Sequence, residues 1–525
     1  MPRPRRPHLA RHAAQIRAHR LSRTPIEEGS AILQHRPKTQ QDDGGAPVRP
    51  AATGPDWRGL RARIRGSVIR PDDEGYDDVR ALADLEFNAV RPLAVVRCAG
   101  PEDVRHALAF ARELGVPAVP RSGGHSFAGW STTEGIVVDV SGMTRTVVDG
   151  DVARVEAGAQ LVDLYTDSLR YGLAVPTGWC STVGIAGLAL GGGIGLESRK
   201  HGLAVDNILS ADVVLADGRL VRCDRLEHPD LFWALRGGGG GNFGVVTSLA
   251  LRAYPVTGMT NYVLRWPWTA AAEVVQAWQQ WAFDTPDDMT PTLTMELPDA
   301  AAGAVPELTV KGAWLGDPER LGPLLEQLRD RTPTPPGEVS VETVPYEEGV
   351  IWWFGCEGMA MAECHFEGSH PEGKVPRVGF ARARGHFVDA DIPAGGILAM
   401  IEAFAAHPAP GQSRNLDFLT MGGAINRVPA DATAFVHRDS RYFVGCAVGT
   451  MGPESPEGQK VATDWIDSCW EAVRPWASDR TYQNFVDPAL PDWQSRYYGP
   501  NYARLAEVRA AYDPDRFFRF PHAIV

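Results

Sequence analysis

The chain has 525 residues, of which 44% are hydrophobic and 22% charged, and a formal charge of −13 at pH 7. That length allows two to four domains with ample material for a buried core. The composition argues against global disorder, a fibrous chain or a membrane protein. Residues 1–24 hold seven arginines and no Lys, Asp or Glu, which leaves −20 on residues 25–525. A body that acidic repels phosphate backbones, so nucleic acid is not expected as a partner.

Residues 1–55, rich in Arg, Pro and Gln, read as a disordered basic leader. Its arginines match an export signal, yet no apolar run follows them, so it does not read as a signal peptide. No 18-residue apolar span occurs later, no membrane crossing is expected, and the expected location is the cytoplasm. The seven cysteines include no CxxC pair, and six of them read as reduced, partly buried thiols rather than a disulfide framework.

Order is expected to begin near Trp57. The stretch 93–119 predicts strand, helix, strand: an apolar run at 93–96, a helix opened by Pro101 with Val104, Leu108 and Ala111 on one face, a stop at Gly115, and a strand over 116–119. Short strands are predicted at 135–140, 146–148 and 152–157, a helix over 161–172, a strand over 212–216, and a turn at Asp217-Gly218. Residues 260–480 mix strands with amphipathic helices such as 270–281. The expected organisation is a first domain over 56–255, a second over 256–480, and a segment 481–525 that rejoins the first.

Three glycine clusters fall in the first domain: Ser122-Gly123-Gly124-His125, residues 184–195, and residues 237–244. Glycine lets backbone approach a ligand closely. The P-loop pattern fails because Lys200 follows Arg199, and the GxGxxG pattern fails because Ser198 stands where its last glycine belongs. Three loops rich in peptide N–H groups nevertheless suit a long diphosphate ligand lying between them.

The segments Arg121-Ser122-Gly123-Gly124-His125-Ser126 and Pro176-Thr177-Gly178-Trp179-Cys180-Ser181-Thr182-Val183-Gly184, continuing through Gly187 to Gly191-Gly192-Gly193, resemble the FAD-linked oxidases of the berberine-bridge-enzyme-like family. These are flavoproteins of the vanillyl-alcohol-oxidase, or PCMH, type. The likeness continues through 202–207, 230–236, Asn242-Phe243-Gly244-Val245 and 433–435, and closes with Tyr482-Gln483-Asn484-Phe485, 497–502 and 512–518. It covers about 57–525, in the family's order. The resemblance implies an α+β fold: a PCMH-type FAD-binding domain, a substrate domain built on an antiparallel sheet backed by helices, and a C-terminal segment returning to the FAD domain.

By the same resemblance His125 bonds the flavin 8α-methyl and Cys180 bonds C6, giving bicovalent FAD. The cofactor would be bound by Arg121, Ser122, Gly123, Gly124, Ser126, Thr177, Gly178, Thr182, Val183, Gly184, Gly187, Gly192, Asn242, Gly244, Val245 and Asn484. Peptide N–H groups around 178–184 are expected to lower the Cys180 pKa. Tyr482 would take the proton of a substrate hydroxyl as hydride leaves for the flavin, which requires stabilisation of its phenolate. Strand 415–421 alternates, with Asn415, Asp417 and Leu419 on one face, and Asp417 is the candidate second catalytic residue. Val183 corresponds to a position where a small side chain goes with O2 as acceptor and hydrogen peroxide as product.

Cys356, Cys364, His365, Glu367 and His370 cluster in sequence, yet their spacing matches no metal motif and no metal is expected. Trp352, Trp353 and Phe354 read as the wall of a substrate pocket or as ordinary core, with the pocket preferred. The expected function is an FAD-dependent oxidase acting on an alcohol, a hemiacetal or an activated C–H or C–N bond of a large organic substrate. A ratio of 47 Arg to five Lys and the expected location favour secondary metabolism. The alternatives are an oligosaccharide oxidase and a flavin-binding protein without turnover.

Overall fold

The computed structural model describes residues 54–525; the leader expected over 1–55 lies almost wholly outside them. The predicted strand–helix–strand unit is present as Ala94–Arg97, Pro101–Leu114 and Ala118–Arg121. Proline opens the helix because its missing N–H has no partner to lose there, and Gly115 ends it in the left-handed conformation at φ 68°. Asp103 in the first turn does more than favour the helix dipole. Its carboxylate accepts the N–H groups of Arg65, Gly66 and Ala99 and ties the helix start to strand Ser67–Ile69.

Strands Ala94–Arg97 and Ala118–Arg121 flank Ile136–Asp139, both parallel to it, and Ser67–Ile69 adds antiparallel at the edge. Beside this four-stranded sheet stands a five-stranded antiparallel sheet built from Thr146–Asp149, Val152–Glu156, Val245–Arg252, Ile208–Val214 and Leu220–Cys223. Buried apolar residues of both sheets and of the helices between them form one continuous core.

Residues 258–450 build a seven-stranded antiparallel sheet, in the order 338–345, 258–266, 307–314, 289–297, 413–420, 442–450, 380–388. Helices Ala271–Ala282, Ala394–Ala405 and Pro456–Val473 cover one face, where Trp278, Phe404 and Trp465 pack on Leu293, Leu416 and Phe418. The other face meets the first two sheets through Met259, Ala313, Phe387 and Phe443. The expected antiparallel sheet backed by helices is therefore observed.

The C-terminal segment returns as expected. Leu505, Val508, Phe518 and Ile524 join the core of the first sheets, and the Ile524 N–H donates to Asn242 Oδ1 at 3.0 Å. Several predicted bounds shift. The helix expected over 161–172 is Leu161–Leu169, because Gly172 at φ 67° belongs to the turn beyond it. The strand expected over 116–119 runs Ala118–Arg121, and the one over 212–216 is the end of Ile208–Val214.

Arg121 ends its strand buried, with its guanidinium on Asp139 at 2.7 Å and on the Val79 and Arg80 carbonyls. The sequence reading placed Arg121 at the cofactor. Its backbone does border the cavity described below, but its charge is neutralised inside the sheet. Arg121→Met leaves the buried Asp139 carboxylate without its cation, with the Ser141 N–H as its remaining donor. It is expected to cost about 3–5 kcal/mol, read by chemical denaturation.

Candidate active site

The three glycine loops, which lie far apart in the chain, converge on one cavity of about 380 Å³ between the two small sheets and the seven-stranded one. Two of them touch back to back. A Cβ on Gly123 would stand 2.2 Å from the Gly184 nitrogen, and one on Gly184 would stand 2.1 Å from Ser122 Oγ. Glycine at both positions is what allows that approach. The cavity wall includes Gly124, Ser126, Gly178, Gly187, Gly244 and Val245, all predicted at the cofactor.

His125 and Cys180 come together on one hydroxyl. Thr182 Oγ1 lies 2.9 Å from His125 Nε2 and 4.0 Å from Cys180 Sγ, so the two reactive side chains lie within the sum of those distances of each other. Burial pushes the His125 pKa down to about 4, against the bond to Thr182, so the imidazole is neutral at pH 7. With Nε2 engaged by Thr182, Nδ1 is the ring nitrogen left open to a partner. Phe366 stacks on the ring at 5.4 Å.

All seven cysteines are free, and Cys180 alone is exposed, toward the cavity. The expectation of a lowered thiol pKa is corrected. Bonds from the Thr182 and Val183 N–H groups and the Thr182 hydroxyl do act downward, but desolvation outweighs them and the pKa is raised.

Tyr482 lines the cavity and is 2% exposed. Its phenolic oxygen accepts the Gly193 N–H at 2.7 Å and Asn484 Nδ2 at 2.9 Å; the same Asn484 amide donates to the Leu188 carbonyl at 2.9 Å. Asn484, expected at the cofactor, lines the cavity and ties the Tyr482 oxygen to the 188 backbone. Gly192, at φ 148°, makes room for the ring, since a Cβ there would meet Tyr482 at 2.8 Å. Desolvation raises the Tyr482 pKa to about 12, while the Gly193, Asn484 and Ile194 donors act downward. Donors to the phenolic oxygen are present, but they do not bring the pKa below its ordinary value.

Asp417 does not join this group. It lies on the predicted face of strand Ser413–Thr420 with Leu419, which lines the cavity, but it stands outside the lining itself. Desolvation raises its pKa to about 6, with Thr294 and Lys311 acting downward and Glu296 upward. Thr177 is buried behind the loop, and Thr182 acts from beneath His125 rather than from the wall. Asn242 lines the cavity, but both ends of its amide bond backbone, at Gly238 and Ile524. Val183 lines it directly. Trp352, Trp353 and Phe354 stand one layer out, with Trp353 packed at 5.7 Å on the lining residue Trp179.

The sequence reading missed part of the cavity wall. Trp130, Phe520 and His522 line it together, Trp130 lying 5.4 Å from the Phe520 ring and 4.9 Å from the His522 ring. The signal was a run of aromatics after residue 512 in a segment already expected to rejoin this domain. The Cys356–His370 cluster is engaged elsewhere: His365 binds Asp163 and the Ala362 carbonyl, and Cys356 and Cys364 donate to backbone carbonyls.

A cavity cradled by glycine loops, lined by a neutral histidine, a cysteine and an aromatic cluster, defines a flavin-nucleotide-binding oxidoreductase. The residues present fit FAD: the loops exclude side chains where they touch, and the His125–Thr182–Cys180 group supplies two nucleophiles. Family models described as "FAD binding domain" and "Berberine and berberine like" match residues 92–224 and 481–525. The chain is 32% identical to the uncharacterized FAD-linked oxidoreductase YgaK of Bacillus subtilis, over 88% of this chain and 98% of that one. It is 29% identical to xylooligosaccharide oxidase of Thermothelomyces thermophilus, covering 82% and 87%. Wild-type BBE-like 1 of Physcomitrella patens superposes with a TM-score of 0.79 at 28% identity, covering 89% of this chain and 98% of that one. The chain belongs to the berberine-bridge-enzyme-like family of FAD-linked oxidoreductases.

Proposed function

We propose that the chain is an FAD-dependent oxidase that holds its cofactor through both His125 and Cys180 and oxidises an alcohol or hemiacetal, or an activated C–H or C–N bond, of a large organic substrate. The observation that carries this reading is the placing of His125 and Cys180 on one Thr182 hydroxyl in the cavity that Tyr482 also lines. FAD, when bound, accepts the hydride and returns the electrons to O2 as hydrogen peroxide. The protein binds, orients and tunes it.

Each residue then has a task. Neutral His125 would hold the flavin at its 8α carbon through Nδ1, and Cys180, as thiolate, at C6 through Sγ; each link would replace a flavin C–H, its proton released and its two electrons passing through the flavin to O2. Tyr482 takes the hydroxyl proton of the substrate, and the Gly193 and Asn484 donors hold the negative charge that the phenolic oxygen carries in order to do so. Val183 leaves room for O2. The cytoplasmic location proposed for the chain favours tailoring of a secondary metabolite. The aromatic pair Trp179–Trp353 beside Cys180 gives the oligosaccharide reading its specific support, because sugar rings stack on such faces.

Anaerobic mixing with panels of polyketide-type alcohols and of oligosaccharides tests the assignment. Bleaching of the flavin followed by stoichiometric peroxide on re-aeration is the expected result for one panel. A flavin that no panel reduces would leave only a binding protein.

A further inference from the structure

Residues 361–378 of the second domain lie against the first as a strap. The strap is folded on itself: the Lys374 N–H donates to the Glu363 carbonyl, Val375 to His365 and Glu367 back to Val375, each at 2.9 Å. Its far end is stitched to the first domain by backbone. Val378 exchanges bonds with Ala83 and Leu85, and the Ala83 N–H donates to the Gly124 carbonyl beside His125. Its near end is tied by a side chain. His365, 7% exposed, places Nε2 at 2.9 Å from Asp163 Oδ1 and Nδ1 at 2.9 Å from the Ala362 carbonyl.

A carboxylate oxygen and a carbonyl are both acceptors. A neutral imidazole has one N–H and one lone pair, so either tautomer would set a lone pair against an oxygen. The imidazolium, with two N–H groups, satisfies both contacts. Asp163 is held for this task, since its Oδ2 accepts the Gln160 N–H at 2.9 Å. The other groups nearby are settled among themselves. The His370 ring stacks on His365 at 4.3 Å, and its Nδ1 accepts the Glu372 N–H and so bears no proton. Glu363 pairs with Lys374, Asp167 on the helix of Asp163 pairs with Arg170, and the Cys356 thiol donates to the Phe354 carbonyl. Arg377 lies over Phe366 at 4.7 Å and donates to the Glu367 carbonyl.

Both ends of the tie reach the reactive pair. Asp163 lies in helix Leu161–Leu169, whose first two N–H groups take the Val183 and Ser181 carbonyls beside Cys180. Phe366, next to His365, stacks on the His125 ring at 5.4 Å with 19° between the planes. We propose that His365 is a positioning residue: as an imidazolium it clasps the strap to helix Leu161–Leu169 and so seats Phe366 on His125, and loss of its proton slackens the strap. Desolvation opposes the charge, but the Asp163 and Ala362 oxygens outweigh it and the His365 pKa is raised above its ordinary 6.5. The stabilisation is therefore complete below the ordinary pKa and is lost as pH rises through the raised one. The inference rests on the bonds of His365 and not on the oxidase reading.

The test is hydrogen–deuterium exchange of the holoprotein, comparing wild type with Asp163→Asn at each pH so that intrinsic exchange cancels. The asparagine keeps an oxygen for the Gln160 N–H and turns an amide N–H toward Nε2, which lets a neutral imidazole satisfy both of its contacts. At pH 6.5 the peptide 361–376 is expected to be about equally protected in both proteins. At pH 9 it exchanges several-fold faster in wild type than in Asp163→Asn, with distant peptides unchanged. A ratio of the two rates that is the same at both pH values would overturn the proposal, because a merely structural contact gives no such change. His365→Ala removes both bonds and is expected to expose 361–376 equally at either pH. Wild-type protection of the strap in that variant would overturn the proposal as well, whatever becomes of Asp163→Asn. No substrate or turnover is needed, so failure of the oxidase reading and failure of the clasp are separate results.

Discussion

Replacing Tyr482 by phenylalanine is expected to slow anaerobic flavin reduction by about 10²–10⁴-fold, the usual worth of a positioned acid or base. The substitution removes one oxygen and leaves the ring in the space that Gly192 provides. Two buried donors, the Gly193 N–H and the Asn484 amide, lose their acceptor, which costs about 1–3 kcal/mol of stability. Rate and stability thus fall together but by different amounts, and flavin content is unchanged. The pH dependence gives an independent check. In the proposed role the active form of Tyr482 is the phenolate, and its pKa is raised to about 12. The rate in wild type therefore climbs with pH, without a plateau below pH 9, and the phenylalanine variant loses that slope. Stopped-flow reduction at 450 nm measures both. A variant that is reduced at the wild-type rate removes Tyr482 from the chemistry.

The second large effect concerns the cofactor link. Either single variant, His125→Ala or Cys180→Ala, is expected to retain flavin through denaturation by the remaining bond, whereas the double variant releases it. The two bonds differ in what limits them. Neutral imidazole is available at any pH well above 4, so the histidyl bond forms across the neutral range. The thiol pKa is raised by desolvation, so the reactive thiolate is scarce near neutrality and grows tenfold per pH unit. Cys180-linked flavin in His125→Ala is therefore expected to accumulate slowly at pH 7 and faster at pH 9. In Cys180→Ala the loading rate is flat over the same range. Peptide mass mapping follows both, and a flat rate in both variants contradicts the thiolate argument.

The feature most legible in the sequence was the one made of backbone. Glycines at 123, 184 and 192 declare a close approach because only a missing side chain permits it, and the structure supplies the atoms each would have met. His125 and Tyr482 were legible because they sit inside those loops or in a motif of similar specificity. The sequence reading went astray where packing decides the outcome. The N–H donors around Cys180 can be read from local sequence, but the desolvation that outweighs them cannot. Arg121 is expected at the cofactor until Asp139, eighteen residues on, is seen to take its charge in the neighbouring strand. Asp417 was placed on the correct face by alternation, yet alternation does not say how far along the strand the cavity extends. The clasp of His365 could not be read at all, since Asp163 stands in the other domain, 202 residues away.

Bicovalent attachment is the claim on which the proposed chemistry rests, and the most direct measurement needs only the wild-type holoprotein. After acid precipitation and washing, the pellet is expected to stay yellow with no flavin in the supernatant. Digestion is then expected to yield one flavin joining two peptides, one holding His125 and the other Cys180. A colourless pellet with free FAD in solution would contradict the account outright, and a flavin on one peptide alone would contradict the second bond.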